Sequence, residues 1–288
     1  MKPDPPPTRA WVTGAGGLLG HCLVHSASRH APGLSVIGLA RADLDLTDHA
    51  AVAARFRIDK PGLVLHCAAL SRSPECQAHP EPARKINVEA AVHLAGLARD
   101  IEFIFLSSDQ VFDGRKGAYV ETDTMHPLGA YGATKAAAEE IIVKNPKHAI
   151  VRLSLCGGAS PKGVSAFNEE LQAAWRAGKA PRLFSDEFRS PIAAPVAARA
   201  LWELAAARRS GIYHLGGAQR LSRFEIGRLV ASRHPELSPR LESTSLREFQ
   251  GAPRPPDVSL DCRKLQALLS FPLPGLAQWL AENPEAPF

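Results

Sequence analysis

A chain of 288 residues can bury a sizeable core, either as one large α/β domain or as a nucleotide-binding domain carrying a smaller lobe. Its composition, 45% hydrophobic and 22% charged, is that of a soluble protein, and no apolar run approaches the length of a membrane span. The formal charge of +5 is spread along the sequence without an aromatic-interleaved basic cluster, which argues against a nucleic-acid surface and suits an anionic small-molecule substrate.

The first residues, Met1-Lys2-Pro3-Asp4-Pro5-Pro6-Pro7, lack the apolar stretch of a signal peptide, and their prolines predict an extended, unpaired tail over 1–8. Beyond the tail, short aliphatic or β-branched runs alternate with alanine-rich stretches, the pattern of βαβ units. Strands are expected near 10–13, 34–39, 62–67, 102–107 and 148–153. Helices are expected over 17–30, 49–57, 81–99 and 131–144, where apolar residues recur at three- and four-residue spacing. The predicted fold is therefore α/β, a doubly wound parallel sheet of Rossmann type.

From Cys156 the pattern is less regular, with Gly157-Gly158, Pro161, Pro181, Pro191 and Pro195 dividing it into short elements. A strand over 212–217 and a helix over 222–232 follow, with Ser222 as N-cap and Glu225 three residues on. The expected division is a dinucleotide-binding domain over 1–155 and a smaller, interleaved substrate lobe over 156–288, part of 190–217 returning to the first domain.

Five cysteines, Cys22, Cys67, Cys76, Cys156 and Cys262, are odd in number and scattered, so they read as reduced thiols of a cytoplasmic protein. His66-Cys67 with Cys76 could suggest zinc, but the segment reads as a buried strand running into a turn, and no metal is expected.

Chemistry enters at Thr13-Gly14-Ala15-Gly16-Gly17-Leu18-Leu19-Gly20. Glycines at 14, 17 and 20 leave the first strand and open the first helix. They permit a tight turn, close approach to a pyrophosphate at the helix N-terminus, and close helix–strand packing. At the end of the second strand, where an acidic residue would hold the ribose of NAD, stands Ala40-Arg41. Arg41 can pair with a 2′-phosphate, which favours NADP(H) with NAD(H) as the alternative, or it is a lone surface cation.

Two further features make the nucleotide fold a candidate enzyme. Tyr131 and Lys135 lie four residues apart at a helix start, hence on one face. Ser108, in Ser107-Ser108-Asp109, follows the fourth strand, where a parallel sheet presents its carboxyl edge to a ligand. A nearby ammonium would lower the phenol pKa and also bond the nicotinamide ribose. Ser108 would then bind the reacting oxygen while Tyr131 moves its proton.

These residues, with Asp43 to Asp48, His66 to Ala69, Ile86-Asn87-Val88, Ser107 to Gly114 and Asp257 to Cys262, resemble the extended short-chain dehydrogenase/reductase family. The likeness is greatest to its dTDP-4-dehydrorhamnose reductase branch and spans nearly the whole chain. It implies reduction of a keto group on a nucleotide-linked sugar, with Ser108, Tyr131 and Lys135 catalytic. It also implies a cofactor lined by Gly14, Gly17, Leu18, Leu19, Gly20, Arg41, Asp45, Leu46, Cys67, Ala68, Ala69 and Ser71, with Asn87 bracing the active-site helix. Asp45 has an alternative role in starting a helix with Thr47 as N-cap, and Asn87 in being only a polar helix residue.

The branch carries a tyrosine where this chain has Gln110, which leaves the sugar open. Dehydratases resembling this group carry a glutamate there, and Gln110 cannot ionise, which argues against dehydration. Gln110, Arg189 and Arg254 are the substrate candidates, the two arginines serving either as a diphosphate clamp or as structural ion-pair residues. An epimerase that retains its cofactor would use the same three catalytic residues. The branch also resembles the regulatory beta subunit of methionine adenosyltransferase, a non-catalytic partner-binding protein, and Ala286-Pro287-Phe288 is faintly like an apolar C-terminal plug. The oligomeric state is open, with a homodimer as the commonest assembly for such enzymes.

Overall fold

The computed structural model describes residues 8–164 and 166–288. Of the tail expected over 1–8, only Thr8 is among them, and its carbonyl accepts a hydrogen bond from the Ser35 amide at 2.9 Å. Six strands form the central sheet: β1 (Arg9–Thr13), β2 (Ser35–Leu39), β3 (Leu63–His66), β4 (Glu102–Ser108), β5 (His148–Leu153) and β6 (Gly211–Leu215). Their spatial order is β2-β1-β3-β4-β5-β6, every pair parallel. The connection reverses between β1 and β3, so their carboxyl ends open a crevice at the switch point, the place where such sheets bind ligands.

Alternation along the strands sorts the core into two layers. Val12, Leu65, Ile104 and Val151 pack on one face with Leu23 and Ala27 of α1 (Leu18–His30). Trp11, Val64, Phe103, Phe105 and Ile150 pack on the other with α2 (His49–Asp59) and the helices that follow. Coverage on both faces explains why the strands read as continuous apolar runs.

The helix expected over 81–99 is a broken rod. After α3 (Ser73–Ala78), it comprises α4 (Pro80–Arg84), a π-helical turn over Lys85–Glu89, and α5 (Ala90–Leu97). The π turn shares the apolar spacing of its flanks, so periodicity cannot reveal it. It carries the buried Asn87, whose amide bonds Leu70 N at 2.8 Å, Leu70 O at 3.0 Å and Thr134 Oγ1 at 3.0 Å.

After β4 comes α6 (Ala130–Ile142), and in the lobe α7 (Phe167–Arg176), α8 (Ala194–Ala206) and α9 (Arg223–Ser232). Ser222 and Glu225 form the capping box of α9. The sequence pattern passes over α8 because Pro195 reads as a breaker, yet a proline in the first turn starts a helix, since its missing N–H has no partner there anyway. Trp202 of α8 is buried and donates its indole N–H to Leu23 O of α1 at 3.2 Å. Three short strand pairs complete the lobe: Arg182–Phe184 with Glu242–Thr244, Phe188–Arg189 with Leu221–Ser222, and Cys156–Gly157 with Ile192–Ala193. Among the described residues no helix is long and apolar enough to cross a membrane.

Helix α6 is pinned to β5 by a buried ion pair, Arg152 Nη2 to Glu139 Oε2 at 2.9 Å, with side chains 2% and 1% exposed. Removing one member of such a pair leaves the other charged and desolvated. Glu139→Gln is therefore expected to lower the unfolding free energy by about 3 kcal/mol, read as a fall in the urea midpoint. An unchanged midpoint would show that the pair does not hold α6.

Candidate active site

The glycine loop joins β1 to α1. Gly14 has φ +70°, and a Cβ there would stand 2.7 Å from the Ala68 amide, so any side chain would part β1 from the β3 exit. At Gly20 a Cβ would meet Gly14 O at 2.3 Å. Gly17 is the N-cap of α1 and no side chain caps the helix. The backbone of Gly17, Leu18, Leu19 and Gly20 thus offers an uncapped N-terminus without acidic side chains in its first turn, the environment an anionic phosphate requires.

Arg41 is exposed just past β2, beside this loop, where a Cβ on Gly16 would touch the Ala40 methyl at 3.4 Å. Asp45 accepts from Thr47 N at 2.9 Å and Thr47 Oγ1 at 2.8 Å, and those two bonds hold its carboxyl below the usual range. The N-cap of α2 is Asp48, which accepts from Ala51 N, and not Thr47 as expected. Leu46 is half-buried against the core. On the other side of the crevice Cys67, Ala68 and Ala69 leave β3 partly exposed, and Ser71 is exposed. The Ala68 amide donates to Thr13 Oγ1 at 3.3 Å, and Thr13 Oγ1 bonds His66 Nδ1 at 2.9 Å. Burial keeps His66 neutral, its pKa down at about 3.

Ser108 ends β4 and Tyr131 lies in the first turn of α6, and the fold sets them close enough that the Ser108 hydroxyl favours the phenolate. Gly132 makes this possible, because a Cβ there would lie 2.0 Å from Gln110 O. Burial first, then the Asp109 carboxylate, push the Tyr131 phenol above its ordinary value, while the Ser108 hydrogen bond and the Arg189 charge oppose them. The Lys135 ammonium sits 4.0 Å from the centroid of the Phe105 ring, 1% exposed, and burial brings its pKa down to about 7 against the opposing pull of Glu139. The expected lowering of the phenol pKa does not prevail: burial and Asp109 leave the phenol above its ordinary value, and only the packing reveals that Lys135 turns to Phe105.

The substrate candidates fare differently. Gln110 stands beside the site, but its Oε1 accepts from Ser73 Oγ at 3.1 Å. Arg189 is buried and faces carboxylates, with Nη1 to Asp109 Oδ1 at 2.9 Å and Nη2 to Glu187 Oε1 at 3.1 Å. Of its two readings, the ion-pair arginine matches this geometry and the diphosphate clamp does not. Arg254 also bonds Glu187, through Nε at 2.5 Å, yet it borders a cleft of about 280 Å³ together with Arg223, Arg182, Phe167 and Phe184. Its guanidinium lies 5.1 Å from the centroid of the Phe184 ring, and that of Arg223 lies 3.7 Å from the Phe167 ring. Asp109, Ser154, Glu187 and Arg223 are the residues that sequence reasoning passed over. Asp109 sat inside the Ser107 to Gly114 motif and Glu187 two residues before Arg189, but only the fold gives them partners.

A nicotinamide dinucleotide fits what is present. The loop is cleared by glycine where a diphosphate would approach, and the Lys135 amine is enclosed, 4.0 Å from the centroid of the Phe105 ring. Such a group calls for an oxygen acceptor, which a ribose hydroxyl supplies.

The RmlD substrate binding domain family matches residues 8–283. The chain belongs to this family. Relatives of the family include methionine adenosyltransferase 2 subunit beta of Xenopus laevis, 30% identical over 280 residues that cover 91% of this chain and 83% of that protein. The protein named "Probable low-salt glycan biosynthesis reductase Agl14" of Haloferax volcanii is 29% identical over 94% of this chain and 96% of its own length. Among solved structures, dTDP-4-dehydrorhamnose reductase of Bacillus anthracis in complex with NADP superposes with a TM-score of 0.86 at 22% identity, covering 96% of this chain and 98% of that one. That likeness establishes the shared extended short-chain dehydrogenase/reductase fold.

The state of Lys135 has a measurable consequence. With a pKa of about 7 in the free protein, Lys135 is mostly neutral at pH 8 and charged at pH 5. A cofactor whose ribose and phosphates favour the ammonium then draws in a proton at pH 8 and none at pH 5. Calorimetric titration with NADP⁺ in buffers of different ionisation enthalpy is expected to show that uptake, and Lys135→Met to abolish it. Equal proton uptake in both proteins would exclude Lys135 as its source.

Proposed function

We propose that this chain is a reductase that uses NADPH in preference to NADH to reduce a keto group on a nucleotide-linked sugar. The observation that carries the reading is the meeting of Ser108 and Tyr131 at the sheet's carboxyl edge, with the buried Lys135 one turn along the same helix. When bound, the nicotinamide supplies the hydride. Ser108 donates its hydroxyl hydrogen to the carbonyl oxygen, and Tyr131, held protonated by burial and by Asp109, gives its proton to the same oxygen. Lys135 holds the ribose hydroxyls, and Gly14 to Gly20 receive the diphosphate of the cofactor. Arg254 and Arg223, at the aromatic cleft, receive the diphosphate of the substrate. The Haloferax volcanii relative, named a reductase, supports this direction.

A second reading, a partner-binding subunit, is favoured by the Xenopus laevis relative. Against it, the expected C-terminal plug is turned inward. The Phe288 ring is buried against Trp279 at 5.8 Å, and its backbone oxygen accepts from Gln172 Nε2 at 3.0 Å and His234 Nε2 at 2.8 Å.

A screen of 3-keto and 4-keto nucleoside-diphosphate sugars at the nicotinamide absorbance tests the reductase reading. Stoichiometric NADPH oxidation is expected, and Tyr131→Phe is expected to lower kcat by about a hundredfold or more without altering NADPH binding. Activity that survives Tyr131→Phe would sink the mechanism. No oxidation on any sugar, with co-purification of a synthetase, would favour the subunit. For the cofactor, Arg41→Ala is expected to reduce the NADPH-to-NADH ratio of kcat/KM by about tenfold. An unchanged ratio would overturn the NADPH preference.

A further inference from the structure

Beyond Ser108, Tyr131 and Lys135, a line of buried charge enters the site from the lobe. Asp109 is 2% exposed and its carboxylate is fully engaged: Oδ1 accepts from Ser108 Oγ at 3.3 Å and Arg189 Nη1 at 2.9 Å, and Oδ2 accepts from Ser154 Oγ at 2.9 Å. Ser154 Oγ in turn accepts from the Ser190 amide at 3.1 Å, so the lobe segment around Arg189 is tied to this carboxylate twice. On its far side Arg189 is held by Glu187, which is 0% exposed and also bonded to Arg254. Burial alone would raise the Glu187 carboxyl, but Arg189, Arg254 and Arg223 bring it down to about 2.

We propose that Arg189 is a positioning residue of the proton-transfer step: by neutralising Asp109 it orients the Ser108 hydroxyl and sets the electric field at Tyr131. A carboxylate beside a partly buried phenol opposes its ionisation, and a guanidinium on that carboxylate offsets the opposition. The forked guanidinium is needed because two different carboxylates, on Asp109 and Glu187, take its two terminal nitrogens, a span that a single ammonium does not cover. The groups facing Tyr131 are Ser108 and Asp109 from the end of β4, Cys76 from α3 and Arg189 from the lobe, with Lys135 on its own helix turned toward Phe105.

The kinetic test rests on the reductase reading. A donor phenol must be protonated, so kcat falls on the alkaline side as Tyr131 ionises. Arg189→Met leaves Asp109 unbalanced and is expected to move that limb up by about one pH unit, while Asp109→Asn leaves Arg189 unbalanced and moves it down by about one. The double variant is expected to return close to wild type, and Arg189→Lys to restore the limb with a lowered kcat. A merely structural Arg189 would scale kcat at every pH and leave the limb in place, and that result overturns the proposal.

A substrate-free readout separates this from the function itself. The chain has three tyrosines, so ¹³Cζ-tyrosine NMR resolves Tyr131, with Tyr131→Phe assigning its signal. Tyr131 is expected to titrate about one pH unit lower in Asp109→Asn than in Asp109→Asn/Arg189→Met. Equal titration in the two overturns the proposal even if every keto-sugar fails as substrate, which would overturn only the reductase reading.

Discussion

The close seating of α6 on the carboxyl end of β4 and β5 is the constraint from which the site follows. Gly132 admits the helix to the Gln110 carbonyl, where any Cβ would collide at 2.0 Å. One turn on, Lys135 is enclosed over Phe105, and one turn further Glu139 meets Arg152 in the core. Asn87 adds a third fastening, joining Leu70 after β3 to Thr134 on α6. Because the loop after β3 and helix α6 share that amide, a displacement of either one is passed to the other.

Burial then sets the charge states. Tyr131 is held as the neutral phenol and Lys135 is brought close to neutrality at physiological pH, so the bare site carries little net charge on its two titrating members. A protonated phenol suits the delivery of a proton to a carbonyl oxygen. Under the proposed function, a weakly charged Lys135 would gain its charge when the ribose acceptor arrives.

The lobe contributes differently. It supplies an aromatic and basic cleft bordered by Arg223 and Arg254, and it reaches the catalytic edge through Glu187, Arg189 and Asp109. Buried ion pairs of this kind add little net stability, since desolvation cancels much of their attraction. Their persistence in a line from cleft to phenol is better explained by orientation than by stability. Relatives named as a reductase and as a synthetase subunit share this family, so the fold alone does not choose between catalysis and partner binding; side chains do.

The strand positions, the parallel α/β class, the glycine turn and the family were legible in the sequence, because each rests on local spacing: period two in a strand, three to four in a helix, and glycines that leave no room for side chains. Ser222 and Glu225 were legible for the same reason. The π turn at Lys85–Glu89, helix α8 behind Pro195, and the inward fold of Phe288 were not, since each depends on what packs against it. The same holds for the partners of Arg189 and for the direction of Lys135. A sequence names which groups can carry charge, but the sign and size of a charge's effect depend on burial and on neighbours distant in the chain. For this protein the sequence by itself determined the fold and the presence of Ser108, Tyr131 and Lys135. Only the tertiary structure brought Asp109 and Arg189 together beside Ser108 and turned Lys135 toward Phe105, because those contacts join segments distant in the chain.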